Sequence, residues 1–254
     1  MARDRAEMPF LDHLEELRGR LIWTLVFLAV ASVAGFFVVT ELNVIGLLEA
    51  PIHDLIPGER LFFTSPTTPV MVTFKLAFVV GLVLSFPVIA YHAWKFFAPA
   101  LHDEERKFVV PALWVAFLLF LAGLAMAYFL VLPLGLRFLL SFQAGSLAPL
   151  ITVDEYLRFA TRLILVFGLI FEMPVIFVLL GAMGVVTPDG LRHYRRHAAV
   201  VIAVAAALLT PADVGTMMLM MGPMLLLYEI SIWLVVLVTR RRERRGGDAA
   251  EAVS

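Results

Sequence analysis

The chain has 254 residues, 61% of them hydrophobic and 16% charged, with a net charge of −1 at pH 7 and no cysteine. Soluble domains carry about a quarter charged residues, so this much apolar surface exceeds what a soluble core can hide and must face lipid. The absence of cysteine excludes thiol nucleophiles, thiolate metal sites and disulfides.

The first 20 residues are polar and carry charges of both signs, with no short apolar signal segment. Phe10, Leu14, Leu17 and Leu21 recur at helical spacing among Asp12, Glu15, Glu16, Arg18 and Arg20. This pattern predicts a short amphipathic helix lying at the membrane interface. It feeds a first spanning helix, the uncharged apolar run Leu21 to Val39. Thr40 to Thr73 contains Pro51, Pro57, Gly58, Pro66 and Pro69, which predicts a structured loop or a short-helix cap. Phe74 to Tyr91 is the second predicted span and Phe108 to Leu136 the third. The third reaches about 43 Å and must tilt or protrude from a ~30 Å hydrocarbon core. Leu163 to Val186, interrupted only by Glu172, is the fourth. Ala198 to Leu209 is the fifth, and it reaches only about 18 Å. That short run is either a re-entrant segment or a span in a locally thinned bilayer. Spanning is preferred because it places the basic clusters consistently. Pro211 to Val214 is a tight turn, Gly215 to Val238 the sixth span, and the polar tail 240–254 is expected to be disordered. The fold class expected is therefore all-α, a polytopic membrane protein with one six-span domain over residues 1–239.

Sidedness follows from the cations. With six spans and the N-terminus inside, fifteen of the Lys and Arg residues fall on the inner side and five on the outer side. That asymmetry satisfies the positive-inside rule for an N-in, C-in orientation. Losing the fifth span would put the five arginines Arg240, Arg241, Arg242, Arg244 and Arg245 outside.

Enzyme signatures are missing: there is no GxSxG, HExxH, P-loop or helix-opening GxGxxG. His193 and His197 have i,i+4 spacing, but Asp189 is the one nearby carboxylate, so solvated loop histidines are preferred over a metal site. Two inner carboxylate clusters carry more information. Asp12, Glu15 and Glu16 precede the first span; Asp103, Glu104 and Glu105 precede the third. Each is either a solvated face favouring a helix N-terminus or a receptor for a cationic ligand. Glu172 lies within the fourth span, and Pro174 should kink the helix beside it. Glu229 lies within the sixth span, which Pro223 should also kink. A carboxylate in the membrane is a functional candidate, and the alternative is a hydrogen-bonded glutamate holding helices together. For Glu229 the two readings stand level. Asp213 is placed to cap the sixth span.

These residues, in this order, resemble the TatC family, the receptor subunit of the twin-arginine protein translocase. The opening Phe10-Leu11-Asp12-His13-Leu14-Glu15-Glu16-Leu17-Arg18-Gly19-Arg20-Leu21 is similar to the family's FxxHLxELRxRL. Trp94 to Leu101 followed by Glu105-Arg106 resembles its first cytoplasmic loop, and Phe171-Glu172-Met173-Pro174-Val175 its fourth-span motif. Leu208-Leu209-Thr210-Pro211 with Asp213 resembles the last outer turn, and Leu227-Tyr228-Glu229-Ile230 the sixth span. Ala212 and Lys107 depart from the pattern, where proline and arginine are common.

The resemblance implies a curved, glove-like arrangement of six helices in a bacterial or archaeal plasma membrane. It implies a receptor for twin-arginine signal peptides, in which Glu16 and Glu105 contact the arginine pair while Phe96, Arg18 and Arg106 shape the site. It implies TatA- and TatB-type single-span partners, further copies of the chain, and transport of folded proteins driven by the proton-motive force. Glu172 would sit in a groove facing a partner helix, with Asp213 and Glu229 as further polar positions. No cofactor, metal or nucleic acid is implied beyond these partners and membrane lipid. The rival expectation is a secondary transporter or proton channel using Glu172 and Glu229 as a relay.

Overall fold

The structure, a computed structural model, describes residues 4–53, 55–56, 61–97, 109–141, 150–210 and 214–251, with side chains described between 15 and 240 except for residues 96–97 and 109. Phe96, Glu105, Arg106 and Asp213 therefore lie outside the described side chains. Five described helical stretches are long and apolar enough to cross a membrane: Glu15–Glu41, Thr68–Lys95, Val110–Ser141, Val153–Ala182 and Val214–Arg240. Each overlaps one of the predicted apolar runs. The short run expected as a fifth span forms a helix of 15 residues, Arg195–Leu209, about 22 Å long.

The described chain contains two compact units. The first, residues 1–47 and 64–102, is built on α1 (Asp4–Glu41) and α3 (Thr68–Phe97), which pack against each other. The sequence suggested a separate interfacial helix before the first span. Instead α1 is one helix of 38 residues, about 57 Å long. The reason is local: between Leu14 and Leu21 the one weak helix former is Gly19, and nothing there breaks the hydrogen-bond ladder. The α1–α3 seam is made of small residues. A Cβ on Gly35 would lie 2.4 Å from the Ala77 carbonyl oxygen, and a Cβ on Gly81 would lie 2.6 Å from the Ser32 Cα. Backbone therefore meets backbone, as in helix pairs that associate in lipid without a hydrophobic driving force. After α1, Asn43 takes φ 48°, a conformation asparagine tolerates, and its side-chain oxygen accepts from the Gly46 N–H. This starts α2 (Val44–His53), a short helix within the long connection 40–73.

The second unit comprises residues 48–63 and 103–254. The predicted third span is α4 (Val109–Met126), a π-helical turn (Ala127–Val131) and α5 (Leu132–Ser141). The predicted fourth span is α6 (Val153–Ile170) and α7 (Met173–Ala182). It starts ten residues earlier than the expected Leu163, and Arg158 and Arg162 lie on this helix. Thr152 explains the start: its side chain accepts from the Glu155 N–H, and Glu155 reaches back to the Thr152 hydroxyl. Phe62 pairs with this entry through backbone bonds to Ile151 and Val153, and the Tyr156 hydroxyl donates to the Leu48 carbonyl. Those bonds fasten the segment 48–63 to α6.

After α7, Gly184 at φ 75° ends the helix and Thr187 caps α8 (Pro188–His193). Then come α9 (Arg195–Leu209) and α10 (Val214–Glu251). α10 packs on α5, α7, α8 and α9 and carries much of the core, with Thr216, Met220, Ile232 and Val235 fully buried. It remains helical through Pro223 and through residues 241–251, where the polar tail was expected to be disordered. Arginine, glutamate and alanine in that tail are good helix formers, so they extend the helix once α10 supplies a nucleus.

Large apolar side chains stay exposed on these helices, among them Trp23 at 67%, Phe129 at 75% and Trp233 at 68%. A water-soluble surface does not carry such a belt; hydrocarbon covers it.

The seam generates a test. Gly81→Ala should destabilise the α1–α3 pair by about 1–3 kcal/mol, because the added carbon meets rigid backbone. Gly222→Ala is the control, since a Cβ there meets nothing within 4 Å. Detergent-solubilised protein scanned for thermal unfolding should lose stability with the first change and keep or gain it with the second.

Candidate functional site

The interruption between α6 and α7 follows from Pro174, which has no N–H to offer the Ile170 carbonyl and whose ring crowds it. The chain bridges the gap with a tighter turn: the Glu172 N–H donates to Leu169 at 3.1 Å, and the Glu172 carbonyl accepts from Ile176 at 3.0 Å. The predicted kink is thus a break in the helix at Phe171 and Glu172. α4 approaches this break closely. A Cβ on Gly123 would lie 2.6 Å from the Phe167 carbonyl oxygen and 2.9 Å from the Phe171 Cβ, and one on Gly168 would meet the Phe120 ring. Within this packing Glu172 is 9% exposed, and its Oε1 has no hydrogen-bond partner among the described residues. A buried carboxyl oxygen left without a donor costs about 1–3 kcal/mol, so the position is maintained at a cost to stability.

Glu229 has a different setting. It accepts a 2.8 Å bond from Arg195 at the start of α9, and both side chains are partly exposed. Next to it, the buried Tyr228 donates through its hydroxyl to the Leu191 carbonyl of α8 at 2.8 Å. Glu229 is therefore no isolated membrane carboxylate. It belongs with the arginine-rich connection 187–196 and ties α10 to α9. The alternative left open in the sequence, a glutamate holding helices together, describes its contacts. Arg195 was not identified as its partner, because a pairing across 34 residues leaves no mark in sequence spacing.

At the other candidate site, Glu15, Glu16, Leu17 and Arg18 lie exposed on successive positions of α1. Glu16 forms an ion pair with Arg20 one turn on, a pairing that the i,i+4 spacing contains. Arg20 is mostly buried and Glu16 about half exposed, so the carboxylate keeps an accessible side. No group of three or more metal-ligating side chains occurs among the described residues.

The fold is that of a polytopic all-α membrane protein, with exposed carboxylates near the start of α1 and a buried carboxylate at the α6–α7 break. The family description "Sec-independent protein translocase protein (TatC)" matches residues 12–223. The chain is 40% identical to the Aquifex aeolicus Sec-independent protein translocase protein TatC over 238 residues, 93% of this chain and 98% of that one. It is 38% identical to the Escherichia coli TatC over 226 residues, 89% of this chain and 87% of that one. A crystal structure of a twin-arginine translocase receptor, TatC, superimposes with a TM-score of 0.80 at 40% identity, covering 89% of this chain and 99% of that one. The chain belongs to the TatC family. It is a receptor subunit of twin-arginine, Sec-independent protein export, a transport component and not an enzyme. Membership of this family replaces the expectation of a secondary transporter or proton channel.

The Arg195–Glu229 pair can be measured. A double-mutant cycle with Arg195→Gln and Glu229→Gln should give a coupling of about 0.2–1 kcal/mol in detergent stability, as expected of a partly exposed pair. Adding salt should reduce it. A coupling of zero would leave Glu229 free for another role.

Proposed function

We propose that the chain reads twin-arginine signal peptides with two carboxylates, Glu16 and Glu105, at the cytoplasmic ends of α1 and of the span that begins near α4. The observation that carries this is the setting of Glu16: half exposed, beside Arg18, and already holding a guanidinium of its own chain in Arg20. A carboxylate arranged to accept one guanidinium is chemically suited to another. Arginine presents a planar fork of donors that pairs bidentately with carboxylate, whereas lysine is a point charge. Phe96, Arg18 and Arg106 shape the site in this reading. Exposed pairs contribute about 0–1 kcal/mol each, so these contacts give selectivity, and the apolar part of the signal supplies more of the affinity.

In the same reading, α9 crosses the membrane as a sixth span, giving an N-in, C-in chain in the plasma membrane of a bacterium or archaeon. The cation asymmetry supports this, and the 15 residues of α9, about 22 Å, then require a locally thinned bilayer. TatA- and TatB-type helices and further copies of the chain are the partners, folded proteins the cargo, and the proton-motive force the energy source. The unpartnered oxygen of Glu172 suits a polar group on a partner helix. Asp213 caps the last span.

Three measurements test this. Glu16→Gln and Glu105→Gln should each weaken co-purification of an Arg-Arg signal peptide, and a Lys-Lys peptide should bind poorly even to the parent. If both neutral variants hold the Arg-Arg peptide as the parent does, the receptor site lies elsewhere. Glu172→Ala should leave peptide binding intact and impair transport or partner assembly, with Glu172→Gln milder. Loss of peptide binding in folded Glu172→Ala would overturn that division of roles. Reporters after Asp189 and Ser254 should read cytoplasmic and one at Ala212 external; an external C-terminus would remove α9 as a span.

A further inference from the structure

An open cavity of about 600 Å³ lies at the start of α9, lined by His193, Arg196, His197, Val200 and Val201. Its lining is cationic at one end and aliphatic at the other. Of the three arginines in this connection, Arg192 bonds to Asp189 and Arg195 to Glu229. Arg196 has no ion pair or hydrogen-bonded partner among the described residues, and it is the arginine that lines the cavity. The Arg195–Leu209 helix also opens here, and no side chain caps it through Tyr194. Its N-terminal partial charge adds to that of the guanidinium.

The face above the cavity matters as much. Arg196, Val200, Val204 and Leu208 recur every four residues, so they form one column along α9. The three aliphatic members are exposed at 63%, 55% and 72%. From Arg196 to Leu208 the column rises about 18 Å, slightly more than half of a ~30 Å hydrocarbon core. A cation at the membrane boundary continuous with an aliphatic track of one leaflet's depth matches the shape of a phospholipid.

We propose that this cavity binds one anionic phospholipid, its phosphate against Arg196 with His193 and His197 alongside, and an acyl chain along Val200, Val204 and Leu208. The leaflet it draws from is the cytoplasmic one if the topology proposed above holds; the binding itself does not depend on that topology. A lipid held here covers the flank of α9, which at 15 residues is shorter than any of the five described membrane-spanning stretches.

The test uses the full chain, purified in mild detergent and exposed to mixed micelles containing equal phosphatidylglycerol and phosphatidylcholine. Native mass spectrometry then counts the retained lipid. The parent should retain phosphatidylglycerol over phosphatidylcholine. Arg196→Gln should lower that retention about fivefold, the equivalent of about 1 kcal/mol for one arginine near a charged lipid surface. Arg196→Lys should keep most of it. Arg192→Gln, on an arginine already paired with Asp189, should leave it unchanged. Millimolar inorganic phosphate should not displace the lipid, because the aliphatic track contributes to its hold. Equal retention of phosphatidylcholine would overturn the proposal. So would equal losses in the Arg192 and Arg196 variants, which would mean diffuse charge rather than a site. Displacement by inorganic phosphate would make it an anion pocket and not a lipid site. A reporter showing the tail on the opposite side would change the leaflet and leave retention as it is, so failure of the topology and failure of the site read out separately.

Discussion

Hydrocarbon gives helices no hydrophobic reason to associate, so the protein depends on close approach of backbone to backbone. Lipid tails are as apolar as leucine, and the gain must come from dispersion contacts at short range. Two seams achieve this. Gly35 and Gly81 let α1 and α3 meet along Ala77 and Ser32, and Gly123 and Gly168 let α4 and α6 meet beside Phe120 and Phe167. Side chains larger than hydrogen at these positions would hold the helices apart and forfeit the contacts. The second seam also positions the helix break, because Phe171 is packed against Gly123.

Lipid imposes a second demand, that polar groups find partners within the protein. Most do. Ser32, Thr73, Thr161, Thr210, Ser231 and Thr239 return their hydroxyls to carbonyls one turn earlier on their own helices. Tyr156 and Tyr228 reach carbonyls on other helices and so fasten Leu48 to α6 and α8 to α10. Four described side chains depart from this: one polar atom each of Arg20, Ser85, His92 and Glu172 is buried without a partner, and Glu172 is the carboxylate among them. Its burial within one chain fits a receptor that assembles with other membrane helices, where the missing donor can arrive from outside.

Apolar length and proline position were the legible part of the sequence. Five long helices fall where apolar runs predicted them, and the break beside Pro174 follows from one missing N–H. Ends were harder to read. α6 starts at a Thr152–Glu155 cap, ahead of the apolar run, because capping and not hydropathy sets where a helix begins. α1 absorbs its amphipathic segment because no residue there stops it. Tertiary ion pairs were not legible at all: Glu229 read as an intramembrane carboxylate until Arg195 was seen beside it. The intrahelical Glu16–Arg20 pair, by contrast, was present in the i,i+4 spacing.

The central claim is that the start of α1 is a surface that recognises arginine. A photoreactive amino acid at Leu17, exposed beside Glu16, tests it in native membranes with a bound signal peptide. The account predicts a cross-link to the peptide near its arginine pair, lost when that pair is changed to lysines. A cross-link of equal yield to the Lys-Lys peptide, or no cross-link while the peptide remains bound, would contradict it.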